Sequence, residues 1–156
     1  MIEIRLECAR DRNADEIEEL AKLVPSINRL LPQLSSVAVP VTLKDLIRIW
    51  HQGNFFTAFA IDNDLCAGMR AVGMASIFFQ LKYTGLICRI EDVVVDEQCR
   101  GKGIAERLLS ELFVVAGSRT ARFVELTSRP ERKAAQKLYK KLGFVKVKKN
   151  VFRKVL

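Results

Sequence analysis

Residues 93–105 combine the features of a phosphate-binding site at the start of a helix. Gly101 and Gly103 carry no Cβ, so a diphosphate can approach their backbone closely. The first turn of a helix has N–H groups without intrahelical partners, and the helix dipole adds positive potential there. Arg100 and Lys102 supply full positive charges beside these groups. The segment therefore predicts a site that binds a diphosphate.

Two better-known glycine motifs for phosphates do not match this segment. A P-loop reads G-x-x-x-x-G-K-[ST], whereas Lys102 is followed by Gly103 and not by a hydroxyl residue. A dinucleotide fingerprint reads G-x-G-x-x-G, and Glu106 stands where its third glycine would be. On the local pattern alone, a loop that only turns the chain is the other interpretation.

The first third of the chain is predicted to hold one strand and two helices. Alternating residues predict a strand over 1–8. A capping-box pattern at Asn13 begins a helix, which we expect to end at Pro25. The segment from there to Pro40 reads as a loop or a broken helix. A second capped helix with a glycine at its end is predicted over 42–53.

The rest of the chain changes between the strand and helix periods. The predicted strands are 55–61, 66–81 with Gly73 as a bulge, 86–95, 121–127, 144–147 and 151–155. Predicted helices run over 104–117 and from Pro130 to Gly143. Antiparallel hairpins followed by a β-α-β-α-β ending predict a mixed α/β fold. The length of 156 residues suits one domain, 1–156.

Composition favours a cytoplasmic globular protein without a metal site. No run approaches the roughly 20 apolar residues of a membrane span, and the N-terminus lacks a signal-peptide layout. The four cysteines form no C-x-x-C pair, which predicts free thiols and no metal. The net charge of +8 fits an anionic ligand, nucleic acid or a solvated surface. Aromatic residues are not interleaved with basic ones, so no nucleic-acid partner is expected.

Two segments resemble signatures of the GNAT superfamily of N-acetyltransferases. The superfamily hallmark, [Q/R]-x-x-G-x-[G/A], opens the helix after the fourth strand, and here it reads Arg100-Gly101-Lys102-Gly103-Ile104-Ala105. Residues 134–144 resemble a second signature, A-A-x-x-L-Y-x-x-x-G-F. Two motifs in the right order are far more specific than either one alone.

The resemblance implies a central mixed, mostly antiparallel sheet with helices on both faces. It also implies a splay between the fourth and fifth strands, where the pantetheine arm of acetyl-CoA, the expected co-substrate, would lie. Backbone groups of Val93, Val94 and Val95 would bind that arm. Backbone N–H groups from Arg100 through Gly101, Lys102, Gly103 and Ile104 to Ala105 would hold the pyrophosphate.

Three residues of the second motif region belong to the cofactor site by the same resemblance: Arg132, Ala135 and Tyr139. Many superfamily members carry Asn where Arg132 stands, and that Asn bonds the pantetheine. Arg132 cannot accept a hydrogen bond, although it can bind a phosphate or a carbonyl oxygen. Lys133 and Lys141 are further candidates for the remaining phosphate of CoA.

Tyr139 is the candidate general acid. An acetyl thioester is already activated, so the protein must position an amine, remove a proton and help the thiolate leave. The resemblance implies direct transfer and puts Tyr139 beside the CoA sulfur. A phenol with a pKa of about 10 is protonated at neutral pH and can donate to that sulfur. The alternative is a packing role with Leu138 and Leu142.

Glu91 is the candidate base, acting directly or through water. It stands in an otherwise apolar strand, where burial raises the pKa of a carboxyl group. The alternative is an ion pair with Arg89 or Arg122. Asp92 should point to the opposite face of the strand unless the strand bulges.

These residues predict an acetyl-CoA-dependent N-acetyltransferase that acts on an amine of a small molecule or peptide. The alternative is a catalytically silent module of the same fold that binds or senses acyl-CoA. The resemblance implies that segments 30–42 and 148–150 select the acceptor, and a basic rim would favour an anionic amine such as a sugar phosphate. No membrane partner is expected, and the resemblance allows a homodimer.

Overall fold

The computed structural model describes residues 1–8, 13–148, 152 and 154. Its strands form one sheet in chain order: β1 (Ile2–Cys8), β2 (Phe55–Asp62), β3 (Ala71–Lys82), β4 (Gly85–Val95) and β5 (Val124–Leu126). Strands β1 to β4 pair antiparallel in succession, and β5 joins β4 in parallel. The expected mixed, mostly antiparallel sheet is therefore confirmed.

Helices cover both faces of this sheet, as expected. They are α1 (Ala14–Leu34), α2 (Leu43–Trp50), α3 (Ile104–Ser118) and α4 (Lys133–Lys141). On one face α3 packs its buried residues, which include Leu108, Leu109 and Leu112, against the sheet. On the other face α1 and α2 bury Leu20 and Trp50 among others. Both layers exclude water from the sheet and stabilise it by apolar burial.

Helix α1 is longer than the sequence predicts. The capping box at Asn13 is present, because its side chain accepts from the Glu16 N–H and Glu16 accepts from the Asn13 N–H. The predicted end at Pro25 is wrong, since α1 continues through Pro25 and Pro32 to Leu34. Each proline costs the helix a hydrogen bond and about 3 kcal/mol. The buried apolar face of α1 on the sheet offsets that cost.

Several predicted strand boundaries differ from the structure. Strand β3 begins at Ala71, after a short 3₁₀ turn (Ala67–Met69), and β5 spans only three residues. The strand predicted over 144–147 is wrong: Val145 and Val147 are largely exposed, so no sheet neighbour covers them. The strand predicted over 151–155 falls mostly on residues outside the described part of the chain.

Gly73 allows α3 to pack closely on the sheet. The β2–β3 ladder skips one residue, Val72, so the irregularity lies beside Gly73 as the bulge prediction anticipates. A Cβ on Gly73 would lie 3.2 Å from the Val94 carbonyl oxygen and 3.3 Å from side-chain carbons of Ile104 and Leu108. The start of α3 is thereby fixed against the end of β4.

Candidate active site

The sheet opens between β4 and β5. The two strands pair only where Cys88–Ile90 faces Val124–Leu126, while β4 continues five residues further to Val95. A cavity of about 360 Å³ occupies this opening. We call it the splay cavity; its wall consists of Leu34, Ser35, Ile90, Glu91, Asp92, Val93, Leu126, Thr127, Ser128, Arg129, Arg132 and Tyr139.

A bulge in β4 turns two adjacent carboxylates towards this cavity. Between the pairs Ser76–Glu91 and Met74–Val94, β4 advances three residues while β3 advances two. Asp92 lies at the bulge with a φ of 54°, a conformation that Asp tolerates better than most residues. Glu91 and Asp92 therefore both line the splay cavity, and the exception foreseen for Asp92 applies.

The two carboxylates are partly removed from water. Burial raises the pKa of Glu91, the Arg89 guanidinium opposes that rise, and Asp92 adds to it. The Arg89 Nη2 atom lies 3.4 Å from Glu91 Oε1, so the ion pair considered as the alternative role of Glu91 is present. The Asp92 side chain reaches solvent, but the cavity wall displaces much of its hydration, and this burial raises the pKa of Asp92.

Tyr139 lies on α4 and faces the splay cavity from the β5 side. It is half-buried, and its ring packs edge-on against Phe144 with the ring centres 5.8 Å apart. Burial raises the pKa of Tyr139 above its ordinary value, against the opposing effect of the Arg132 guanidinium. The phenol is therefore protonated at neutral pH. Tyr139 therefore both packs against Phe144 and lines the splay cavity.

Arg132 bridges the mouth of the splay cavity. Its Nη2 atom donates to the Leu34 carbonyl oxygen at 2.5 Å, which joins the start of α4 to the end of α1. The loop before α4 is fixed by the Arg129 carbonyl, which accepts from the Arg132 N–H and the Gln136 side chain. Ala135 is half-buried on α4 but does not line the cavity.

Sequence reasoning missed the polar residues that follow β5. Thr127, Ser128 and Arg129 line the splay cavity directly opposite the bulge of β4. The Ser128 hydroxyl is buried and has no hydrogen-bond partner among the described residues. A buried unpaired hydroxyl is costly unless a ligand or water bonds to it. The polar sequence immediately after a short, half-buried strand was the signal that could have identified them.

The glycine segment forms an open backbone cradle before α3. Gly101 and Gly103 have φ angles of 78° and 74°, and a Cβ on either would meet nothing within 4 Å. Neighbouring Lys102 is exposed, Ala105 is half-buried, and Ile104 is buried in the core, so Ile104 offers only its backbone to a ligand. Open space above unpaired helix-start N–H groups suits a phosphate.

The end of β4 is tied to this cradle. Val94 is buried, Val93 lines the splay cavity, and the Val95 carbonyl accepts from Arg100 Nε at 3.1 Å. The buried Asp96 carboxylate forms an ion pair with Arg29 of α1 and accepts from the Gln98 N–H at 3.0 Å. Sequence reasoning did not identify the Arg29–Asp96 pair, because the two residues lie far apart in the chain.

Two of the basic residues considered for the last phosphate of CoA already have partners. Lys141 Nζ lies 2.7 and 2.9 Å from the two carboxylate oxygens of Glu106, and Arg132 bonds to the Leu34 carbonyl. Lys133, the first residue of α4, is exposed.

The described residues fit a CoA-type ligand at three points. The cradle suits a diphosphate, the unpaired edge of β4 beyond Ile90 suits an amide-containing arm, and the Ser128 hydroxyl has no other partner. Within residues 1–8, 13–148, 152 and 154, no group of three His, Cys, Asp or Glu is arranged to hold a metal ion. In the same part of the chain, no helix is long and apolar enough to span a membrane.

The profile of the acetyltransferase (GNAT) family matches residues 24–144, which is most of the chain. The protein therefore belongs to the GNAT acetyltransferase family.

Individual relatives agree with this assignment. An L-2,4-diaminobutyric acid acetyltransferase from Halalkalibacterium halodurans is 36% identical over 74 residues, which cover 47% of this chain and 39% of that relative. The chain thus matches well under half of that relative's length. A Trypanosoma brucei acetyltransferase has a TM-score of 0.75 and 25% identity over 99% of this chain and all of its own.

A third similar protein shares the fold at lower identity. It is an aminoglycoside N-acetyltransferase whose structure was solved in complex with CoA. Its TM-score is 0.75 at 19% identity, over 99% of this chain and 95% of its own.

Proposed function

We propose that this protein is an acetyl-CoA-dependent N-acetyltransferase that transfers the acetyl group directly to a primary amine. One observation carries the proposal: Glu91 and Tyr139, from opposite sides of the splay, line the same cavity between β4 and β5. A proton acceptor and a proton donor thus face one space where a thioester and an amine can meet. The family assignment supports acyl transfer as the reaction class.

The cradle and the β4 edge hold the co-substrate in this proposal. Acetyl-CoA supplies an activated acyl group when bound. The N–H groups of residues 101–105 bind its pyrophosphate, and the backbone of 93–95 binds its amide-containing arm. The buried Ser128 hydroxyl, which has no hydrogen-bond partner among the described residues, is a further polar group in the wall of the splay cavity. Such fixed contacts lower the entropy cost of bringing two reactants together.

The acidic and phenolic groups then move the protons. The amine nitrogen forms a bond to the acetyl carbon while the carbon–sulfur bond breaks and its electron pair stays on sulfur. An ammonium ion loses two protons on becoming an amide. Glu91 accepts protons from nitrogen, Tyr139 gives one to sulfur, and solvent takes the balance. The raised pKa of Glu91 makes its carboxylate a stronger base than an ordinary surface carboxylate.

The first test measures thiol release from acetyl-CoA with a panel of primary amines. Amine-dependent release supports the proposal. Tight acetyl-CoA binding without turnover on any amine would support the silent acyl-CoA-binding module, and absence of CoA binding would contradict both functions.

A matched pair of variants tests the cradle separately. Gly103→Ala places a side chain at a φ of 74°, which costs about 1 kcal/mol, and adds a methyl group over the open face. Gly117→Ala adds the same methyl group near the end of α3, where nothing lies within 4 Å. By calorimetry, we expect the Kd for CoA to rise at least about tenfold in the first variant and to stay unchanged in the second. Equal affinities would exclude the cradle as the phosphate site.

A further inference from the structure

A second cavity adjoins the splay cavity on the α1–α2 side of the sheet. It has a volume of about 320 Å³ and shares Leu34, Ser35 and Asp92 with the splay cavity. We call it the apolar cavity; it lies between α1, α2 and strands β2 and β3, under the segment that joins the two helices. Since a liquid-water molecule occupies about 30 Å³, the space suits a molecule of about ten or more non-hydrogen atoms.

Apolar side chains form most of the wall of this cavity. They include Leu31, Val41, Ile49 and Met74. Asp92 is the one charged residue among the described residues that line it, and it lies where the two cavities meet. A molecule in this space therefore meets an apolar surface along its length and a carboxylate at one end.

The few polar groups at the floor bond to one another. Trp50 Nε1 donates to Thr57 Oγ1 at 3.1 Å, and Thr57 Oγ1 lies 3.1 Å from Ser76 Oγ. All three residues are buried. Because these groups have partners within the protein, they do not require a polar substituent on the ligand.

The segment above the cavity is held in place. The Asn28 side chain of α1 makes two hydrogen bonds with the Val41 backbone. Its Nδ2 donates to the Val41 carbonyl oxygen at 2.9 Å, and its Oδ1 accepts from the Val41 N–H at 2.8 Å. Val37 in the same segment lines the cavity although 83% of its surface is exposed. The rim thus presents an apolar side chain to solvent beside a preformed apolar space.

We propose that the acceptor is a primary amine with an apolar body, which lies in the apolar cavity with its nitrogen at Asp92. This inference rests on the proposed acetyltransferase function and names its substrate class. A cationic ammonium group complements the single carboxylate, and the shared wall brings the nitrogen to the splay cavity. The apolar body displaces water from the rest of the wall, which favours binding.

The same wall disfavours anionic amines. No Lys, Arg or His lines the apolar cavity within the described residues, so a phosphate or carboxylate there would lose its hydration without a cation in exchange. The sequence analysis expects an anionic acceptor if the rim is basic, and the described lining of this cavity contains no basic residue. Arg129 and Arg132 line the splay cavity instead.

The test of substrate class compares n-alkylamines from propylamine to octylamine with glucosamine 6-phosphate and 2,4-diaminobutyrate. We expect kcat/KM for thiol release to rise about fourfold for each added methylene until the cavity is filled. The two polar amines should fall at least about tenfold below hexylamine. A flat alkyl series, or preference for either polar amine, would overturn the inference while leaving the acetyltransferase function intact.

A second readout does not depend on turnover. Trp50 is the only tryptophan of the sequence, is 1% exposed and lines the apolar cavity. In the presence of CoA, added hexylamine should change the fluorescence emission of Trp50, and the change should saturate as the amine concentration rises. Val37→Ser should weaken that binding about threefold or more by removing apolar contact. Val39→Ser is the matched control, because Val39 is 73% exposed on the same segment and does not line the cavity.

The outcomes separate the two proposals. Unchanged Trp50 emission with hexylamine while CoA still binds, or equal weakening by both valine variants, would overturn the substrate class. A saturable change in Trp50 emission with hexylamine, without thiol release from any amine, would support the apolar-amine site and overturn the acetyltransferase function.

Discussion

Replacing Tyr139 by Phe removes one hydroxyl group from the wall of the splay cavity and leaves the ring. The ring contact with Phe144, at 5.8 Å between centres, does not involve that hydroxyl. We therefore expect the free energy of unfolding to change by less than about 1 kcal/mol. A loss of activity in a variant this stable would report on the hydroxyl itself.

The expected loss follows from the protonation state of Tyr139 and from the leaving group. Burial keeps the pKa of Tyr139 above its ordinary value, so the phenol carries its proton throughout an assay between pH 6 and 9. A positioned proton donor contributes about a hundredfold to ten-thousandfold. A thiolate with a pKa of about 8.5 needs less help than an alkoxide. We expect kcat to fall between about tenfold and a hundredfold, which is about 1.4–2.7 kcal/mol.

The assay measures kcat and KM for acetyl-CoA with the best amine found, in wild type, Tyr139→Phe and Tyr83→Phe. Tyr83 is the other tyrosine of the sequence and is fully exposed in the β3–β4 turn, so its variant controls for loss of a phenol. An unchanged kcat in Tyr139→Phe would refute the general-acid role. A raised KM with an unchanged kcat would assign Tyr139 to binding and packing.

Three further predictions concern the charged groups around β4. Asp96→Asn should lower the free energy of unfolding in urea by about 2–3 kcal/mol, because Arg29 loses its buried partner; an unchanged midpoint would contradict that. Arg89→Gln should move the acid limb of the pH profile of kcat/KM to higher pH, because the Arg89 guanidinium holds down the pKa of Glu91 that burial raises; an unmoved limb would argue against Glu91 as the base. Asp92→Asn should raise the Tm more at pH 8 than at pH 4. Because the pKa of Asp92 is raised in the folded protein, ionisation of its carboxyl group lowers the free energy of unfolding as the pH rises above the ordinary carboxyl range. An equal gain in Tm at both pH values would contradict this.

The sequence predicted the elements that local patterns determine. Capping boxes at Asn13 and Thr42, the four strands β1 to β4 and the glycine segment before α3 all appear in the structure, whereas the strand predicted over 144–147 does not. The predicted helix end at Pro25 is wrong because it considers only the local free-energy cost of a proline inside a helix. Burial of the apolar face of α1 against the sheet stabilises the helix by more than the prolines cost. The sequence alone does not show which residues pack against that face.

The candidate site was predictable where it is carried by motifs and not where it depends on distant contacts. Tyr139 and Glu91 line one cavity, while their catalytic roles stay predictions, and the bulge that adds Asp92 depends on a φ angle that no residue type fixes. The Arg132–Leu34 bond joins residues 98 positions apart. The single charge that the described residues place in the apolar cavity likewise arises only when α1, α2, β2, β3 and β4 meet.

Transfer of an isotope-labelled acetyl group from acetyl-CoA to an amine tests the central claim most directly. Products of wild type with hexylamine and with each polar amine would be analysed by mass spectrometry alongside free CoA thiol. The account predicts label on the amine nitrogen in equal amount to the thiol released. Label found only as free acetate, or retained on CoA with every amine, would contradict it.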